Sequence, residues 1–229
     1  MTTTLNFDYA TSGFPVREDI VRAHRTSWAA IAHSGLCWRG EQRVEIARQG
    51  RAARNARSDP PWMRKGLPDA EGRISEAAVA AARMIGADAH RIDRKWAEQA
   101  IAALGDAAYV ELGSIVATVS ALDAFAEALG RDHEPLPEPF ADAGAEGARA
   151  DNVADIGGYV AMVDPFQGPN VSRALSLVPD ANTLFFTNVM AMYGGPEHSF
   201  YDLEWNGPIS RPQAELLAAR VSALNECFY

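Results

Sequence analysis

At 229 residues, 48% hydrophobic and 22% charged, the chain has enough apolar mass for one domain or two small ones. A formal net charge of -9 gives no footing for nucleic acid or an anionic membrane surface as partner. No stretch reaches the roughly 18 consecutive apolar residues of a membrane span, the N-terminus lacks the pattern of a signal peptide, and Cys37 and Cys227, 190 positions apart, make no secreted disulfide framework, so a cytoplasmic protein is expected.

Helical periodicity dominates the chain. Residues 16–32 place Val16, Ile20, Ala23, Trp28 and Ile31 on one stripe, predicting a helix that stops at Gly35. Residues 41–57 form a second, more polar helix, broken by Asp59-Pro60-Pro61 because consecutive prolines cannot continue the hydrogen-bond ladder. Its arginines, Arg48, Arg51, Arg54 and Arg57, spread around the surface and are expected to form a solvated face. Residues 75–85 and 93–104 predict two further helices, each followed by glycine. The segment 106–129 is apolar almost all round, through Val110, Ile115, Val116, Val119, Leu122, Phe125 and Leu129. A helix of that kind is buried, at the centre of a bundle or in a subunit contact. Residues 131–152, rich in Pro, Gly, Ala and acids, are expected to be a linker. Short helices are expected over 171–178 and 181–193. A last one spans 211–226, with Ser210 as N-cap, Pro212 in the first turn and Gln213 closing a capping box. The fold class is all-α.

The residues with chemistry to offer are few. Glu215 and Cys227 share the last helix, twelve residues apart, or about 18 Å along a straight axis. A proton relay between them must therefore pass through another group. Glu111 and Asp123 sit on the apolar 106–129 segment, where an acid needs a partner or a site, and Glu111 is the stronger candidate for a second proton-handling group. His24 faces either the core or a site, the five histidines show no metal-ligand spacing, and Cys37, beside Trp38, is expected to pack. Sliding the chain by 170 residues brings Glu45 onto Glu215, Ile46 onto Leu216, Ala53 onto Ala223 and Asn55 onto Asn225, a weak internal repeat that sets Arg57 opposite Cys227.

The pattern Glu215-x11-Cys227 after an Ala/Leu-rich capped helix resembles the alkylhydroperoxidase D-like and carboxymuconolactone decarboxylase superfamily, whose redox members carry Glu-x11-Cys-x-x-Cys-x3-His. The stretches 106–130, Leu136-Pro-Glu-Pro139 and 172–179 are similar to its duplicated, peroxidase-related branch. The resemblance implies an alkylhydroperoxidase-like helical bundle of two repeats: 1–130 without the motif cysteines, 131–152 as linker, and 153–229 ending inside the motif. It further implies Glu215 as relay base, Cys227 as the N-terminal, usually resolving thiol, a hydroperoxide substrate, a dithiol reductant, no metal, haem or flavin, and a homo-oligomer. Since the second sulfur would follow Tyr229, either a UGA codon encoding selenocysteine or a nonsense truncation is expected there, and this chain is expected to turn over negligibly.

Two other readings stay open. One is a decarboxylase-like lyase needing no Cys pair, for which Glu111, Glu215 and His24 would have to converge on one pocket. The other is a non-catalytic scaffold whose 106–129 helix drives oligomerisation.

Overall fold

Local capping chemistry opens two helices where the sequence places them. The Ser75 hydroxyl accepts from the Ala78 N–H at 3.2 Å and starts α3 (Glu76–Asp88), and the Asp93 carboxylate accepts from the Trp96 N–H at 2.7 Å and starts α4 (Arg94–Leu104). Gly105, at φ 89°, then makes the turn into α5 (Asp106–Ala128), a conformation that a side chain would resist. The remaining helices are α1 (Glu18–Ala32), α2 (Gly40–Asn55), α6 (Pro179–Tyr193) and α7 (Arg211–Leu224). The computed structural model describes residues 7–10, 12–141, 147–193 and 209–224, and among these the protein is mostly helical, as expected of an all-α chain.

The core is built on α5. Leu112, Ile115, Val116, Val119 and Leu122 are buried, and α2, α3, α4 and α6 pack around them. By length and composition α5 is also long and apolar enough to cross a bilayer, but 61% of its apolar window is buried against the rest of the chain, as in the core helix of a bundle.

Two glycines let α2 lie close to both of its neighbours. A Cβ on Gly86 of α3 would overlap the Gly50 carbonyl, and one on Gly50 would stand 2.9 Å from both Val116 methyls. Gly35 has a similar cause. It sits in the turn beyond α1 at negative φ, and a Cβ there would run into the Glu111 carboxylate and the Arg43 guanidinium. The glycine is required by that approach and not by a helix stop.

Most of the arginines expected on a solvated face of α2 are engaged. Arg51 holds Asp123 at 2.6 and 2.8 Å, Arg54 holds Glu127 at 2.7 and 2.9 Å, and Arg48 pairs with the buried Glu45. Arg43 adds a pair with Glu111, so three arginines of α2 meet three acids of α5 in the same order along both helices. Only Arg57, one turn further on, keeps an exposed guanidinium with no acidic partner among the described residues.

Residues 131–141 do not run free, although their composition suggests a linker. The Trp28 indole donates to the Pro135 carbonyl, Arg51 to the Glu134 carbonyl and the Phe140 N–H to the Ala32 carbonyl, each at 2.8–2.9 Å. Proline removes donors but leaves acceptors, and α1 and α2 supply donors to fill them. Beyond this strap a two-residue antiparallel pairing, β1 (Val153–Ala154) with β2 (Met162–Val163), appears that the periodicity did not announce. The helix expected over 171–178 is instead a 3-10 turn, Asn170–Arg173, ended by a turn in which Leu175 takes φ 67°. α6 then packs against α1 and α5 through buried polar contacts as well as apolar ones: Ser114 donates to the Ala181 carbonyl at 2.6 Å, and Asn188 donates to the Ser27 hydroxyl at 2.7 Å.

Removing one member of a buried ion pair strands the other. Asp123→Ala should therefore cost about 3–5 kcal/mol, while Arg51→Met with Asp123→Leu should recover most of that loss. Urea denaturation of both variants tests this: equal losses would show that packing, and not the stranded guanidinium, sets the cost.

Candidate functional site

α7 begins much as its sequence prescribes. Gln213 turns back to accept from the Ser210 N–H at 2.8 Å, and the Ser210 hydroxyl bonds the same oxygen at 2.9 Å, so the Gln half of the capping box is formed. Beyond its start the helix buries nothing. Leu216, Leu217, Val221 and Leu224 are 56–70% exposed.

Glu215 is one of the few half-buried positions on this helix. The Tyr193 hydroxyl, at the end of α6, donates to Glu215 Oε1 at 2.7 Å, and the Arg211 guanidinium stands 3.6 Å from the same oxygen. Partial burial, and then the adjacent carboxylate, push the Tyr193 phenol up, which keeps it protonated and a donor at neutral pH. The result is a neutral phenol hydrogen-bonded to a partly solvent-open carboxylate. Tyr193 has no local signal in the sequence, since the partners are 22 positions apart on different helices. Cys227 lies outside the described residues, as do Trp205 and His198.

Glu111 and His24 are occupied elsewhere. Both carboxylate oxygens of Glu111 are held, one by Arg43 and the other by the Cys37 N–H at 2.8 Å. Burial pushes this carboxyl up, with the Arg43 charge and the Cys37 N–H pulling the other way. The Cys37 thiol itself is exposed rather than packed, because Trp38 takes the buried place beside it. Partial burial and the nearby Glu111 and Asp106 charges raise its pKa, so it is a poor nucleophile at neutral pH.

His24 is fully buried among the rings of Phe7, Tyr9 and Phe125, and its Nδ1 is 2.8 Å from the Tyr9 hydroxyl. Its Nε2 has no hydrogen-bond partner among the described residues. No hydrogen bond or ion pair joins any two of Glu111, His24 and Glu215. Glu45 and Glu215, superposed by the 170-residue shift, also differ in surroundings: Glu45 is buried among Arg48, Gln49 and Arg73, and Glu215 is half-open to solvent. Among the described residues no group of three His, Cys, Asp or Glu side chains could hold a metal.

A cleft of about 550 Å³ opens where α2, α3 and α5 meet, and Leu224 of α7 contributes to its lining. Leu224 stands three positions ahead of Cys227 in the sequence. No family model matches the chain, and neither does any curated protein or solved structure.

The buried imidazole has a pH signature. Burial pushes His24 down to about 4, against an ordinary value near 6.5. Between those limits the unfolded chain binds a proton that the folded one refuses, so stability should fall as pH drops from about 6.5 to 4, by roughly 3 kcal/mol. Chemical denaturation across that window should show His24→Phe with a flatter profile than the wild-type protein. Parallel profiles would assign the acid sensitivity to other groups.

Proposed function

We propose that this chain is a thiol-dependent, peroxidase-like protein with an alkylhydroperoxidase-like bundle of two related repeats. Glu215 is its proton-relay carboxylate and Cys227 its sulfur. The observation that carries the reading is the Tyr193–Glu215 pair. A carboxylate is half-buried on an otherwise exposed helix, at the expected position of the motif, with a protonated phenol donating to it.

In the proposed step the Cys227 thiolate attacks the terminal oxygen of a hydroperoxide. The S–O bond forms as the O–O bond breaks, the alkoxide leaves with a proton relayed through water from the Tyr193–Glu215 pair, and the sulfur is left as sulfenic acid. An external dithiol then returns it to thiol: one sulfur displaces water to give a mixed disulfide, and the second closes the reductant's own disulfide. Cys37 and Cys227 are the only cysteines in the sequence, and Cys37 is a raised-pKa thiol on the turn after α1. With its thiol protonated at neutral pH, Cys37 is a slow resolving thiol, and regeneration of Cys227 falls to the external dithiol. A cytoplasmic, homo-oligomeric setting comes with the same reading, by resemblance.

The test is a single-turnover measurement in a Cys37→Ser background, with cumene hydroperoxide as oxidant and a sulfenic-acid trap as readout. Trapping at Cys227 is expected, slowed on the order of 100-fold by Glu215→Gln, the low end of what a positioned proton-transfer group contributes. Oxidation at an unchanged rate in Glu215→Gln removes the carboxylate from the chemistry. Absence of any trapped Cys227 removes the proposal.

A further inference from the structure

The cleft between the ends of α2 and α3 and the middle of α5 is uneven in its chemistry. Ile85, Ala87, Ala124 and Leu224 give it apolar walls, while Arg57, His90 and Ser120 stand along it as polar groups. Its volume, about 550 Å³, is that of a small-molecule pocket. Two acids at this end of the bundle are already committed: Asp88 to Arg64, which donates at 2.9 Å, and Glu127 to Arg54 at 2.7 and 2.9 Å. Arg57 is left over. It is exposed, and among the described residues its guanidinium makes one hydrogen bond, to the Arg54 backbone carbonyl at 2.9 Å, and pairs with no acid.

We infer that this cleft binds a small monoanionic amphiphile, a carboxylate on a short aliphatic chain. The carboxylate meets the planar fork of Arg57 beside His90, and the chain lies on Ile85, Ala87 and Leu224. A single charge is favoured over a phosphate dianion because the C-terminal ends of α2 and α3 both open here, and their carbonyls oppose a second negative charge. In a chain of net charge -9, an uncommitted guanidinium beside an apolar wall is a specific complement to such a ligand. One consequence rests on the proposed peroxide chemistry: a cleft that serves it selects a hydroperoxide carrying a carboxylate. The binding itself does not depend on that chemistry.

The experiment titrates the intact, isotope-labelled chain with octanoate and follows its amide resonances. Saturable shifts are expected at Gly86, Ala87 and His90. Arg57→Gln should weaken them about 10-fold, as should replacing octanoate with octanol, whereas the exposed control Lys95→Gln should leave them unchanged. Because the Arg57 side chain is exposed, its thermal unfolding should match that of the wild-type protein. Octanoate shifts that miss these residues, or that persist undiminished in Arg57→Gln, overturn the inference. A parallel trapping assay compares cumene hydroperoxide with a medium-chain fatty-acid hydroperoxide, and faster Cys227 oxidation by the acid, lost in Arg57→Gln, is expected. Octanoate binding without any Cys227 oxidation would sink the peroxide reading and keep the cleft. Cys227 oxidation without octanoate binding would do the reverse.

Discussion

Three arginines of α2 facing three acids of α5 fix how this bundle is assembled. Arg43, Arg51 and Arg54 meet Glu111, Asp123 and Glu127 in matching order, and all three arginine side chains are largely withdrawn from water. Such pairs add little net stability over apolar residues of equal volume, because desolvation consumes most of the Coulombic gain. What they contribute is register. Sliding or rotating α2 on α5 would leave buried charges unmatched, whereas an apolar seam of Ala, Val and Ile would tolerate several positions. The glycine contacts at Gly50 and Gly86 work in the same direction, since they allow an approach that leaves no space for an alternative alignment.

The strap is tied to this arrangement. Arg51 reaches past Asp123 to the Glu134 carbonyl and lies 5.1 Å from the Trp28 ring centroid, so one guanidinium joins α1, α2, α5 and residues 131–136. His133 bonds Glu127 at 2.9 Å from the other side. The ionic seam thus also determines where the chain crosses from α5 toward α6, and hence where Tyr193 arrives to meet Glu215.

Helix positions were legible in the sequence because they depend on local chemistry: Ser75, Asp93 and Ser210 as starts, Pro60-Pro61 as a stop, and an apolar run long enough to mark α5 as core. The arginine roles were not legible, since Arg51 and Asp123 lie 72 positions apart and a basic helix surface reads the same whether water or a carboxylate faces it. The strap was misread for a related reason. Low hydrophobicity says that a segment cannot build a core of its own, but not that it cannot cap someone else's donors. At the candidate site, Glu215 was singled out by its spacing to Cys227, whereas its contact with Tyr193 needed the fold. Glu111 looked like a proton-handling group until both of its oxygens proved to be bound.

The strap has a bearing on how the protein is made. The Trp28 indole N–H and the Ala32 carbonyl find their partners at residues 135 and 140, more than a hundred positions later. During vectorial synthesis the first two helices leave the ribosome well before those partners exist, so this corner stays hydrated and open until the strap emerges.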